Sequence, residues 1–149
     1  MLHLSFTLTG RGSAIASIAD GDAKVEIEVS YLSDALGDLA RAVRGILRGL
    51  PETSCSFQME PGEHRFVFSR KGDDVLITVV QFSETFSRQR DGNHLLELRC
   101  SPRELATACI NCLREVRDLH GEDGYREQWV NADFPIIEYR ELLELRRRL

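Results

Sequence analysis

The chain has 149 residues, 42% hydrophobic and 29% charged, with a formal net charge of −5 from 24 acidic against 19 basic side chains. This size and balance predict a single domain over residues 1–149 with enough core to fold unaided, and they exclude a disordered or low-complexity chain. The negative field disfavours nucleic acid and anionic membrane as partners, and no apolar run approaches the roughly 18 residues that a membrane span requires.

Residues 2–9 alternate strictly, Leu2, Leu4, Phe6 and Leu8 against His3, Ser5, Thr7 and Thr9, the period of a half-buried strand. No cationic stretch precedes an apolar block there, so the expected location is cytoplasmic. Gly10-Arg11-Gly12 turns the chain into a weaker strand over 13–19, and Asp20-Gly21 suits a tight hairpin before Val25, Ile27 and Val29 alternate with polar neighbours. These three strands read as a meander.

At Tyr31 the period changes. Ser33 is the expected N-cap of a helix whose apolar positions, Leu32, Leu36, Leu39, Val43, Ile46, Leu47 and Leu50, run until Pro51. Alternation returns with Cys55, Phe57 and Met59, a type II turn at Pro61-Gly62, and Phe66 and Phe68 on the next strand. After a turn at Lys71-Gly72-Asp73, residues 75–82 are apolar on both parities, which predicts a central strand covered on both faces, at least in part. Residues 84–93 are polar and aperiodic, with Arg88 and Arg90, and read as a loop before a last strand carrying Leu96, Leu98 and Cys100.

Ser101-Pro102-Arg103-Glu104 is the clearest local signal: a capping box with proline at the first helical position, opening a helix to about residue 120 that Gly121 terminates. From Glu122 the pattern predicts an irregular tail with Tyr125, Trp129 and Phe134-Pro135, then a short helix over about 136–148. The fold class is therefore α+β: a largely antiparallel sheet of about seven strands, arranged as a three-strand meander, a helix, four strands, a helix, an irregular tail and a short C-terminal helix.

The motifs that suggest chemistry have plainer readings. Cys109-x-x-Cys112 lies in step with Leu105, Val116 and Leu119 on one helical face, so its sulfurs occupy core positions, and no metal or redox cofactor is assigned to it. With Cys55 and Cys100 the cysteines are too few for a disulfide scaffold and are expected to be thiols. The four histidines are scattered, and neither a nucleophile elbow nor a phosphate loop is present, so no catalytic residue is assigned. Glu60-Pro61-Gly62-Glu63 places two carboxylates at a hairpin tip with Arg65 nearby; solvated charge is the plainer reading, a contact for a basic partner the sharper one. Trp129 is either an interface anchor or, more commonly, a core closure.

The segments 31–39 (Tyr-Leu-Ser-Asp-Ala-Leu-Gly-Asp-Leu), Glu60-Pro61-Gly62-Glu63, Gly124-Tyr125-Arg126-Glu127-Gln128-Trp129 and Phe134-Pro135 together resemble a group of small bacterial proteins that have no assigned activity. The resemblance spans nearly the whole chain. It implies a bacterial origin and a compact stand-alone domain, and it supplies no site residues.

The leading functional expectation is a non-catalytic module that binds another protein, in one form an immunity-type inhibitor of a basic toxin. Its surface would use Glu60, Glu63, Arg65, Arg88, Arg90 and Trp129. The alternatives are a small-molecule binder or unorthodox enzyme with a cleft between sheet and tail, and a homodimer through a sheet face or edge.

Overall fold

The computed structural model describes residues 1–59, 62–84, 92–130 and 132–149. Seven strands and three helices appear in the expected order, and the class is α+β with antiparallel pairing throughout. The strands form two sheets, however. β1 (Leu2–Gly10), β2 (Ser13–Asp20) and β3 (Ala23–Ser30) make a three-stranded meander, and β4 (Glu52–Gln58), β5 (Glu63–Lys71), β6 (Asp74–Phe82) and β7 (Asn93–Cys100) make a four-stranded one. α1 (Ala35–Leu47) interrupts the chain between them. β3 lies near both outer strands of the second sheet without a ladder to either. A link at the junction is made by Ser30 Oγ, which donates to the Gln58 carbonyl at 2.9 Å.

The alternation of β1 sends Leu2, Leu4 and Phe6 inward. They join Ala14, Ala16, Ile18, Ile27 and Val29 from β2 and β3, and Cys55, Phe57, Phe66, Phe68, Val75, Ile77 and Val79 from the second sheet, in one core that also takes in the apolar sides of all three helices. β6 lies between β5 and β7, and its other parity, Val80 and Phe82, forms a smaller buried cluster with Val67 on the reverse face. The double apolar parity of 75–82 thus corresponds to a strand covered on both sides.

α1 starts one residue later than its sequence suggests. Asp34 is the N-cap and accepts from the Gly37 amide at 3.2 Å, while the hydroxyl of Ser33 is buried without a hydrogen-bond partner. The carboxylate wins because it caps the helix and also receives Arg41 at 2.8 Å. Leu32 and Leu50, expected on the buried stripe, lie beyond the helix ends and are exposed.

α2 (Pro102–Trp129) is made of two helical segments that meet at Gly121. Ser101 caps it as its sequence predicts, accepting from the Glu104 amide at 3.1 Å, but Glu104 does not turn back to complete the box: its carboxylate accepts from the Leu2 amide at 3.0 Å and ties the first strand to the helix. Gly121 breaks the helical backbone (φ 69°, ψ 169°), and a further helical segment runs on to Trp129 where an irregular tail was expected. The restart fits the i, i+4 spacing of Tyr125 and Trp129, which returns one face to the core. Leu119, just before the break, is exposed instead of sharing the stripe of Cys109 and Cys112.

α3 (Ile136–Arg147) packs on both α1 and α2 and buries Tyr139 and Leu142, with Arg114 Nε of α2 donating to the Tyr139 hydroxyl at 3.2 Å. Ion pairs from Arg41 to Glu138 at 2.8 Å and from Arg44 to Glu141 at 2.9 Å, with Arg48 also on Glu141, line the seam. Among the described residues no helix is long and apolar enough to cross a membrane.

Candidate functional site

Of the six side chains singled out in sequence, Glu60, Arg88 and Arg90 lie outside the described residues. Glu63 and Arg65 are brought together, and Trp129 is placed far from any surface role.

Glu63 opens β5 and is only 3% exposed. Its carboxylate accepts from Ser56 Oγ of β4 at 2.6 Å and from Arg65 Nη2 at 2.9 Å, and the Arg65 guanidinium lies over the Phe82 ring at 4.3 Å. Residues two apart on a strand share a face, and the register sets Ser56 opposite Arg65 and Phe82 opposite Glu63, so the four side chains meet by pleat and pairing alone. The expected exposed acid at the hairpin tip is thus an inward charge, satisfied by a hydroxyl and a guanidinium, as a buried carboxylate must be. Gly62 makes this geometry accessible: its φ is +98°, and a Cβ there would sit 2.7 Å from the Phe82 carbonyl oxygen.

His64, between the two charged residues, points the opposite way. It is half-buried with Nδ1 lacking a hydrogen-bond partner, and burial lowers its pKa, so the neutral imidazole prevails at neutral pH. Glu63, Arg65 and His64 therefore do not converge on one reacting centre.

Trp129 is fully buried. Its indole meets Phe6 edge-on at 5.4 Å between ring centroids and stacks with Tyr125 at 6.3 Å, and Nε1 donates to the Ser33 carbonyl at 3.1 Å. Phe134 closes on Tyr125 at 6.0 Å. The tail aromatics hold the end of α2 against β1, and Trp129 lines none of the surface grooves described here. The cysteines are also interior: burial pushes the thiols of Cys100 and Cys112 up to about 12 and those of Cys55 and Cys109 above the usual thiol range. Such groups are poor nucleophiles.

A surface that sequence inspection did not single out is the outward face of the three-stranded sheet. Register sets it in three rows: His3, Ala19 and Lys24; Ser5, Ser17 and Glu26; Thr7, Ile15 and Glu28. The helices pack against the opposite, apolar parity, and His3, Thr7, Lys24, Glu26 and Glu28 are exposed. The middle of the face is low and polar, with Ser5 and Ser17 sharing a hydrogen bond. Its β3 border is acidic: Lys24 reaches Glu26 at 2.9 Å, both side chains more than half exposed, whereas Asp22 and Glu28 form no ion pair among the described residues. The alternation of 24–29 already contained this signal, but only the pairing with β2 shows that Glu26 borders Ser17 and Glu28 borders Ile15.

No family model matches the chain, and no curated protein matches it. Among solved structures, a chain of a CdiA-CT/CdiI toxin and immunity complex from Enterobacter cloacae is similar over 76% of this chain and 99% of its own, with 12% identity and a TM-score of 0.48. That likeness is too distant to carry a function across.

Proposed function

We propose that the chain is a non-catalytic interaction module that binds a basic protein through the outward face of β1–β3. The observation that carries this reading is that, among the described residues, no helix packs on this face, its centre is made of small polar side chains, and exposed carboxylates run along β3, in a chain of net charge −5. The small side chains at its centre leave room for a partner's larger ones, and the acidic border supplies complementary charge, which speeds encounter and sets orientation more than it adds affinity. An immunity-type role, in which this face covers a basic toxin, is one form of the same reading.

The test is a stoichiometric pull-down from lysate of the native organism with three tagged proteins: wild type, Glu26→Lys/Glu28→Lys, and Glu122→Lys/Glu127→Lys on α2. Both variants change net charge equally, so they separate place from total charge. The expected outcome is a basic protein recovered by wild type and by the α2 variant and lost with the β3 variant, its recovery falling as salt rises. Equal recovery by all three, or an acidic partner, overturns the proposal.

A further inference from the structure

Where β2 and β3 meet the start of the β4–β5 turn, a groove of about 350 Å³ runs between Thr9, Ser13, Ile15, Glu28, Ser30 and Met59. We propose that it is the anchor site for one arginine side chain of the basic partner; this rests on the interaction-module reading and names the contact that fixes its register. Two independent observations support it.

The first is shape and surface. The volume lies at the low end for small-ligand sites, enough for one long side chain, and Ile15 and Met59 give it apolar walls. Arginine and lysine bury their methylene stems along such surface while keeping the charged head at a polar rim.

The second is the charge at that rim. Glu28 stands directly across from Ile15 in the β2–β3 register, is exposed, and forms no ion pair among the described residues. The hydroxyl of Ser30 favours a donor as well, and Thr9 and Ser13 add further acceptor lone pairs. Thr9 and Ser13 bond one another at 2.9 Å, and Ser30 donates its proton to the Gln58 carbonyl, which leaves its lone pairs to accept. A carboxylate and hydroxyl acceptors around an apolar slot match the guanidinium fork, with five donors and no acceptor, better than a compact ammonium. An anionic or acceptor-rich side chain would face Glu28 with repulsion.

The experiment is a two-dimensional amide NMR titration of the full-length chain with N-acetylarginine methylamide and, separately, its uncharged analogue N-acetylnorleucine methylamide. The expected result is saturable shifts confined to Ser13, Ile15, Glu28, Ser30 and Met59 with the arginine probe, at least about tenfold weaker binding of the norleucine probe, and a similar loss with Glu28→Gln. Met59→Ala should weaken both probes, because it removes a wall and leaves the charge. Equal affinities for the two probes, indifference to Glu28→Gln, or shifts spread over other acidic residues would overturn the assignment. This titration reports on the groove alone, so a partner captured by a chain whose groove ignores arginine refutes the anchor and leaves the module, and the converse result does the opposite.

Discussion

Replacing Glu63 by leucine tests whether the inward charge cluster on β5 is as tightly satisfied as its geometry implies. The substitution removes the carboxylate that Ser56 meets at 2.6 Å and Arg65 at 2.9 Å, and it leaves a guanidinium whose side chain is only 15% exposed. Removing one partner of a buried pair costs ~3–5 kcal/mol, and the leucine recovers part of this by apolar burial beside Phe82, so the expected loss is about 3 kcal/mol. Against a total of ~5–15 kcal/mol this is a large fraction. With a urea slope of ~2 kcal/mol per molar, the midpoint should fall by roughly 1.5 M. Trp129 emission is the natural probe, since it is the single tryptophan and sits in the core. The companion variant Glu63→Leu/Arg65→Met removes both charges and fills the space beside Val80 and Phe82 with apolar atoms. It should be more stable than the single variant, because it removes the part-buried guanidinium together with the carboxylate that faces it. A single-variant loss below about 1 kcal/mol, or a double variant no better than the single, would refute the reasoning.

Three further outcomes follow from the same structure. Trp129→Ala removes the ring packed on Phe6 and Tyr125 and the donor to Ser33, and should cost ~3–5 kcal/mol, read as a drop in Tm of roughly 10 °C by calorimetry. Gly121→Ala forces a side chain onto a backbone at φ +69° and should cost about 1–2 kcal/mol by urea titration, although a Cβ there meets no atom within 4 Å. The buried cysteines should make the protein alkali-sensitive. Unfolded thiols ionise near pH ~8.5 while those of Cys100 and Cys112 are held up to about 12, so the unfolded chain releases protons first, and stability is complete below that lower value and falls as pH rises toward the higher one. A urea midpoint that declines above pH 9, with iodoacetamide labelling only in denaturant, is the expected pair of results; rapid labelling of the native chain at pH 8 would contradict it.

Local pattern determined most of the elements, because each rests on a period or a cap that neighbours in sequence supply. The alternation of 2–9 and 24–29, the double apolar parity of 75–82 and the serine cap with proline before α2 are all legible without knowing what packs where. The inert character of Cys109 and Cys112 follows in the same way from their three- and four-residue steps along α2. What sequence could not decide were choices between competing partners. Ser33 and Asp34 are both fair caps, and the carboxylate prevails through Arg41. Glu104 can turn back to its own helix or out to Leu2, and only the closeness of β1 settles it. The break at Gly121 is local, but the restart beyond it depends on Tyr125 and Trp129 finding Phe6 and Phe134, residues far away in the chain or across a turn.

The same division governs the candidate sites. Sequence placed Glu63 and Arg65 two apart and supposed a solvated hairpin tip; cross-strand register brought in Ser56 and Phe82 and turned the pair into an interior ion pair. The outward face of β1–β3 was present in sequence as polar alternation, and so was each wall of the groove at Glu28. The composition of that face is a sequence property, but that no described helix packs on it, and that Met59 meets Ile15 and Glu28 at one slot, depend on how two sheets joined by a helix come to rest against each other. Periodicity fixes which side of a strand a residue faces, whereas only long-range packing fixes what, if anything, lies opposite it.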